Sequence, residues 1–489
     1  FTNTVALAIS DANGSGGVLS GTTSKAAVAG LATFNNLSIN LAQTGHTLAA
    51  TSTVTGATSS AFDITASTSS HLVFTSQPTT TIAGQSIPTF TLEARDAANS
   101  LLTGFSGNVT VAITGGTGTS GATLSGTKTV AASGGIVTFS GLSIDKKGNG
   151  YRLSVTATTL AGATSNTFTI NAGTAAQVSF IVDPTNANAG AAITPAVQVD
   201  VEDALGNRVT NFVGNITVSI AVNGGGATLS GTTTQPVASG LATFNDLSLD
   251  AVGDGYRLGA GSGALTGDVS QAFKITGGPA DHLVFTVSPS DAVAGVGIAP
   301  SVRVTAFDAF GNVATGFTDN VVVTITGGTG TPGAVLAGVS TVAAVAGVAT
   351  FSGLNVDKAG SGYTLSATST VTGATSGTFT ISPAAAHHLA FTVQPANTAV
   401  NATITPAVRV TVQDQFNNTV TGSSASVVMA IATDAAGGST LGGTTTVNAV
   451  TGVATFSNLT INKAGNGFTL RATSGILTLA TSNAFNITP

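Results

Sequence analysis

Four aspartates recur at one place in successive stretches of this 489-residue chain, Asp96, Asp203, Asp308 and Asp414, where they open DAAN, DALGN, DAFGN and DQFNN. Carboxylates at a fixed spacing are residues that could ligate calcium, which takes six to eight oxygens with several carboxylates among them. The chain offers 20 Asp plus Glu, about four per repeat, and no recurring Asp-x-Asp. That set is too small, so no metal is expected. Turn chemistry accounts for the motif instead: the Asp side chain accepts from backbone N–H groups a few residues on, and Gly or Asn tolerates the positive φ that closes the turn.

His71, His282 and His388 recur once per repeat, with Gln177 in the same place in the third copy. Histidine ligands must converge, and only the neighbours His387 and His388 come near each other. Ser and Thr are abundant, but no Gly-x-Ser-x-Gly elbow is present and no His and acid recur beside one Ser, so nucleophilic catalysis has no constellation to work with. There is no Cys, hence no disulfide, thiolate metal site or thiol nucleophile. Lys146, Lys358 and Lys463 fall in polar corners, which argues against intramolecular isopeptide bonds. Neither an enzyme nor a cofactor is expected.

A second set of residues heads a strand. Tyr151, Tyr256, Tyr363 and Phe468 each follow Gly-x-Gly, where immunoglobulin-like sandwiches place a tyrosine whose hydroxyl bonds back to the backbone across the corner. A structural corner is expected at all four. Phe468 keeps the packing but lacks the hydroxyl, and His46 departs from the pattern. With no Trp and the three Tyr occupied at corners, the exposed flat rings of a sugar-binding module are missing.

The elements that must position these residues repeat with them. GIVTFSGLSIDKKGNGYRLSVTATT from Gly135 has relatives from Gly30, Gly240, Gly347 and Gly452. Phe74, Phe180, Phe285 and Phe391 mark steps of 105 or 106 residues, as do Phe62, Phe168, Phe273, Phe379 and Phe485. Units of that length bury their own cores, unlike the short coils of a solenoid. The expected boundaries are 1–67, 71–173, 177–278, 282–383 and 388–489, joined by short linkers. In the second copy, period-two apolar runs predict strands over 72–76, 87–95, 108–114, 122–125, 129–132, 136–144, 151–158 and 165–171. Seven or eight short strands with turn residues between them predict an all-β chain of tandem immunoglobulin-like Greek-key β-sandwich domains in a string. Leu72 and Phe74, Val137 and Phe139, Tyr151 and Leu153, and Phe168 and Ile170 are the candidate inward layers.

Composition narrows the partners. Charged residues make up 7 % of the chain and the formal net charge is −6. Fourteen scattered Lys plus Arg cannot form the basic stripe that neutralises phosphates, so nucleic acid is not an expected partner. No run approaches 18 apolar residues, so no helical membrane span lies within this sequence.

The DALGNRVT turn, the GLATFNDL run and the GNGYRLSVTAT corner together resemble the bacterial immunoglobulin-like repeats of large surface proteins, of the invasin and intimin kind. The resemblance covers the whole chain and implies a stalk or spacer at the cell surface or outside the cell. The disulfide-bearing receptor tip of that family has no counterpart here. The expected function is therefore a non-enzymatic extracellular structural protein forming a stalk, fibre or surface layer and self-associating, since few charges guard its strand edges. The alternative is an adhesin-like scaffold displaying loops or a distal tip to a receptor or glycan. The first copy begins at the counterpart of Phe105 and lacks 34 residues matching His71–Gly104. Its missing strands are expected from residues preceding Phe1 in a longer chain, with donation by a neighbouring molecule as the alternative.

Overall fold

The computed structural model describes residues 1–10, 17–65 and 69–489. Residues 66–68, within the expected linker and boundary between the first two copies, lie outside the described set. Every element among the described residues is a β-strand, as β-branched residues alternating with Ser and Thr between Gly-rich turns require. The chain is a string of tandem immunoglobulin-like sandwiches.

The fourth copy illustrates the build. His282–Val287, Val302–Phe307 and Val348–Phe351 form one antiparallel sheet. Asn320–Ile325 lies between Thr341–Ala343 and Leu365–Thr368 in the facing sheet, which Ala374–Thr375 extends. Ala292–Val293 adds in parallel to Phe379–Ser382, which pairs with Gly360–Tyr363. The chain thus switches sheets repeatedly, as a Greek key does. Register is fixed by the period-two pattern: Val302 faces Phe351 and Val304 faces Ala349, which turns all four side chains inward.

Four separate cores follow among the described residues. They run over Leu72–Ile170, Val178–Ile275, Leu283–Ile381 and Leu389–Ile487. Phe139, Phe244, Phe351 and Phe456 are fully buried, and truncating one such ring costs about 3–5 kcal/mol. Phe90 stacks on Phe139 at 5.4 Å between centroids. Tyr151, Leu153, Phe168, Ile170, Leu72 and Val137 are buried in the same core, and Phe74 packs against it half-buried.

The first copy differs. Thr4–Ile9 pairs with Ser24–Ala26 and Leu48–Thr51, but no strand runs over 32–34 and Phe34, the counterpart of Phe139, is half-buried. In the second copy Ile136–Phe139 pairs with Phe90–Asp96, whereas residues 32–34 lie in no strand.

Candidate functional site at the joints between sandwiches

The recurring aspartates sit where one sandwich meets the next. Asp203 is buried at 3 % exposure. Its Oδ1 accepts the backbone N–H of Leu205 and of Asn207, both at 2.9 Å, which is the turn that Asp-x-x-Gly-Asn encodes. Gly206 closes it with φ 77°. The other oxygen, Oδ2, accepts the N–H of Gly173 in the preceding linker at 2.7 Å. Asp308 and Asp414 repeat the arrangement, taking the linker N–H groups of Gly278 and Ala384 at 2.8 Å each.

Asn207 then reaches across to the previous sandwich. Its side-chain NH2 lies 3.1 Å from both Asp203 oxygens and donates to the backbone carbonyl of Asp145 at 2.9 Å. Its Oδ1 accepts the N–H of Lys147 at 2.8 Å. Asn312 spans Asp250 and Val252 in the same way, at 2.7 and 3.1 Å. Asn418 spans Asp357 and Ala359, at 2.8 and 2.9 Å. Sequence reasoning noticed these asparagines only as turn residues. Their recurrence directly after a Gly or Asn of positive φ was the available signal.

The tyrosines stand under the same corner. The Tyr151 hydroxyl donates to Lys146 O at 2.7 Å, Tyr256 to Ala251 O at 2.9 Å and Tyr363 to Lys358 O at 2.8 Å. Lys146 lies between the two residues that Asn207 grips. Phe468 occupies the fourth position, buried and 6.2 Å from the Phe485 ring, without a hydroxyl to offer. His46 differs from its sequence expectation: it is buried, and its Nε2 lies 3.1 Å from Leu41 O, the counterpart of Lys146 O. An imidazole N–H supplies what the phenol supplies elsewhere.

An apolar contact completes each of these three joints. Leu205, Phe310 and Phe416 project from the turn onto Gly84, Gly190 and Gly295 of the preceding sandwich, where a Cβ would overlap the incoming side chain. Phe416 packs against the core of the fourth sandwich rather than its own. Asp96 builds the same turn, with Ala98 and Ser100 N–H on its Oδ1 at 2.9 Å. Ser100 takes the place of Asn207, and its hydroxyl lies 3.4 Å from Asn40 O.

Electrostatically, burial alone would push the Asp203 carboxyl up, but the N–H donors of Gly173, Asn207 and Leu205 outweigh it and hold the group below the usual carboxylate range. Asp308 is depressed in the same way, with Gly278, Asn312 and Phe310 outweighing burial. At Asp414 the donors that outweigh burial are Asn418, Ala384 and Phe416. A carboxylate so surrounded faces N–H groups, whereas calcium needs oxygens. Among the described residues no group of three or more His, Cys, Asp or Glu converges on a metal-sized space.

Open grooves flank the joints, of about 510, 540 and 560 Å³. Lys147, Asn149 and Asn211 line the first, Asp319 and Phe317 the second, and Lys358 and Asn417 the third. None of these linings pairs a nucleophile with a base. No helix among the described residues is long and apolar enough to cross a membrane.

A further recurring residue escaped the sequence reading. Ser59, Ser165, Ser270, Ser376 and Ser482 each stand three residues before a repeated Phe. Each hydroxyl oxygen accepts a backbone N–H, from Leu48, Leu153, Leu258, Leu365 and Leu470 at 2.9 to 3.0 Å. Each also donates to the carbonyl of the next residue. The 105- or 106-residue step was the signal, hidden by the abundance of Ser.

No protein-family model matches the chain, and no curated protein matches it. Among solved structures it is similar to the Escherichia coli adhesin FdeC, at 19% identity over 64% of this chain and 96% of that one, with a TM-score of 0.31. Domains 4–9 of the surface layer protein SbsC match at 17% identity over 92% and 70%, with a TM-score of 0.23. Immunoglobulin domains 1–5 of Sidekick-1 match at 11% over 99% of each chain, with a TM-score of 0.24.

Proposed function

We propose that this chain is a non-enzymatic stalk of a bacterial surface or extracellular structure, a series of sandwiches set at fixed angles by their joints. The observation that carries this reading is the repetition of one joint at three consecutive junctions, with the same Asp, Asn, linker and corner atoms each time. Two hydrogen bonds to the corner, one to the linker and one apolar knob restrain both bend and rotation. A chain built only for flexible tethering needs none of these.

Small-angle X-ray scattering on the whole chain tests the reading. A compact globule of this length has a radius of gyration of about 23 Å. The stalk gives a value well above that and a distance distribution with an elongated tail. A compact profile would end the proposal.

Self-association belongs to the same reading. Val28, Val345 and Val450, at the tip of the same hairpin turn in three copies, are 77, 76 and 73 % exposed, on a surface with few charges to oppose contact. Sedimentation velocity over a concentration series should show reversible assembly, weakened when the three are replaced by Lys. Monomers at every concentration would remove this part of the proposal.

A further inference from the structure

The carboxylate of each joint is enclosed by donors that have no use for a metal ion, and the asparagine it orients is what reaches the next sandwich. From this geometry we propose that each of the joints at Asp203, Asp308 and Asp414 is a cation-free latch held shut by an ionised aspartate, so that the stalk is stiff there without divalent ions and slackens when that carboxylate is protonated. The inference rests on the stalk reading and adds what holds the stalk straight.

The junction between the third and fourth sandwiches shows the logic with few charges nearby. Asp308 is 1 % exposed. Its Oδ1 takes Phe310 and Asn312 N–H, and its Oδ2 takes Gly278 N–H. Asn312 Nδ2 lies 3.2 and 3.0 Å from the two oxygens. All are donors. A proton on the carboxyl would set a hydrogen against the linker N–H or the Asn312 amide, and one of them must move away. Because Asn312 is held to Asp250 O and Val252 N through the same amide, its release frees the corner of the preceding sandwich.

The ionisable groups around Asp308 do not replace this role. From the preceding sandwich, Asp250 points its carboxylate at the N–H of Thr228, and the Tyr256 hydroxyl is committed to Ala251 O. From the linker side, His282 pairs with Asp281 and stacks on Phe307. At the junction before it, Lys147, Arg208 and Asp200 stand near Asp203, and Lys147 Nζ donates to Arg208 O at 2.5 Å. At the junction after it, Lys358 Nζ donates to Phe416 O. Those two latches carry an extra ammonium contact, which makes the middle one the cleanest to test.

The sign follows from the N–H cage. A carboxyl depressed in the folded state contributes its share of stability above its unfolded value, and that share is lost as pH falls through the folded value. Slackening therefore begins only below the ordinary carboxylate range, below about pH 4.

The chain has no Cys, so spin labels can be placed by Ser219→Cys and Thr324→Cys, at exposed positions on central strands of the third and fourth sandwiches. The full chain should give a narrow inter-label distance distribution at neutral pH, unchanged by calcium or by EDTA. The narrow peak should broaden progressively as pH is titrated downward from about 4, and should be lost at neutral pH in Asp308→Asn and in Asn312→Ala. Asp434→Asn, on an exposed turn of the fifth sandwich, should keep it. Circular dichroism on each sample confirms that the sandwiches remain folded. A narrow peak that survives both in acid and in Asp308→Asn overturns the latch while leaving the stalk standing. A peak that narrows only with calcium overturns the cation-free claim, and a broad distribution in the unmodified chain at neutral pH overturns the stalk reading itself.

Discussion

Tyr256 and Asn312 belong to successive sandwiches and hold the same three residues. The phenol hydroxyl donates to Ala251 O from below, and the carboxamide takes Asp250 O and Val252 N–H from above. Tyr151 with Asn207, and Tyr363 with Asn418, do the same at the adjoining junctions. An interaction usually explained within one domain is therefore shared between two. The corner tripeptide offers its middle carbonyl inward and its flanking carbonyl and N–H outward, so ordering it for one partner orders it for the other.

Tyr256→Phe tests that coupling. The ring stays in its buried place 5.9 Å from Phe273, as Phe468 does naturally beside Phe485, while Ala251 O loses its donor. Loss of one such bond costs about 0.5–1.5 kcal/mol, read as a lower unfolding midpoint in chemical denaturation. The spin-label distribution across the following junction should also broaden. A drop in stability with an unchanged distribution would show that the tyrosine serves its own sandwich alone.

Gly295→Ala tests the apolar contact. Gly295 has φ 73°, which an L side chain adopts only with strain, typically costing about 1 kcal/mol. Its new methyl would also displace the Phe416 ring. The fifth copy has Asn401 in this place at φ 58°, so the backbone itself is compatible with a side chain. Expected are a modest fall in thermal stability and, more tellingly, greater exposure of Phe416, measured by faster hydrogen exchange in its turn. Phe416→Ala should reproduce the faster exchange in the turn without the backbone strain at residue 295, its own fall in stability coming from the lost packing on the fourth sandwich.

Much of each sandwich was legible because side-chain alternation writes itself into sequence. The expected strands over 108–114 and 129–132 correspond to Asn108–Ile113 and Thr129–Ala131. The run over 136–144 breaks into Ile136–Phe139 and Ser143–Ile144 because Gly141 turns at φ 69°. Leu160–Thr164, which joins Ser69–Phe74 in parallel through Ala161 and His71, went unseen: in LAGAT only Leu160 is large and apolar, and no alternation follows it. The joint was hidden for a different reason. Asn207 and Asp145 are 62 residues apart, and the atoms that meet at Asp145 and Lys147 are backbone, which no residue type betrays. His46 misled for a third reason, since a His in a Tyr column reads as loss although its N–H makes the same bond.

Ser376→Ala probes the recurring serine. Its hydroxyl is the acceptor for the buried N–H of Leu365 at 2.9 Å, and Ser376 itself is 7 % exposed. Alanine leaves that N–H without a partner in a place water does not reach, which costs about 1–3 kcal/mol. Thr keeps an oxygen at the same distance, so Ser376→Thr should recover part of the loss. Equilibrium denaturation of the two variants decides between this bond and a simple packing change, since packing alone would make Thr the worse replacement.

Asp200 is the counter-case, a charge whose burial is only half compensated. It is 5 % exposed, its Oδ2 meets Arg208 Nε at 2.6 Å, and its Oδ1 has no partner. Burial pushes its carboxyl up despite Arg208 and Lys147. A raised folded value means that its contribution is favourable below the unfolded value and is lost as pH rises through the folded one. Thr305 and Thr411 fill the same place in later copies, each with its hydroxyl on a second threonine, Thr286 or Thr392. Here Ile181 stands in that second position, so Val is the fitting replacement. Asp200→Val should hold or raise stability at neutral pH, because it removes a buried carboxylate with one oxygen unpartnered while Arg208, 36 % exposed, keeps its charge in water, and it should flatten the fall in stability between the acidic range and neutrality. Denaturation midpoints measured from pH 3 to pH 7 give both answers. A loss at neutral pH would mean that the Arg208 pair outweighs the burial of the charge.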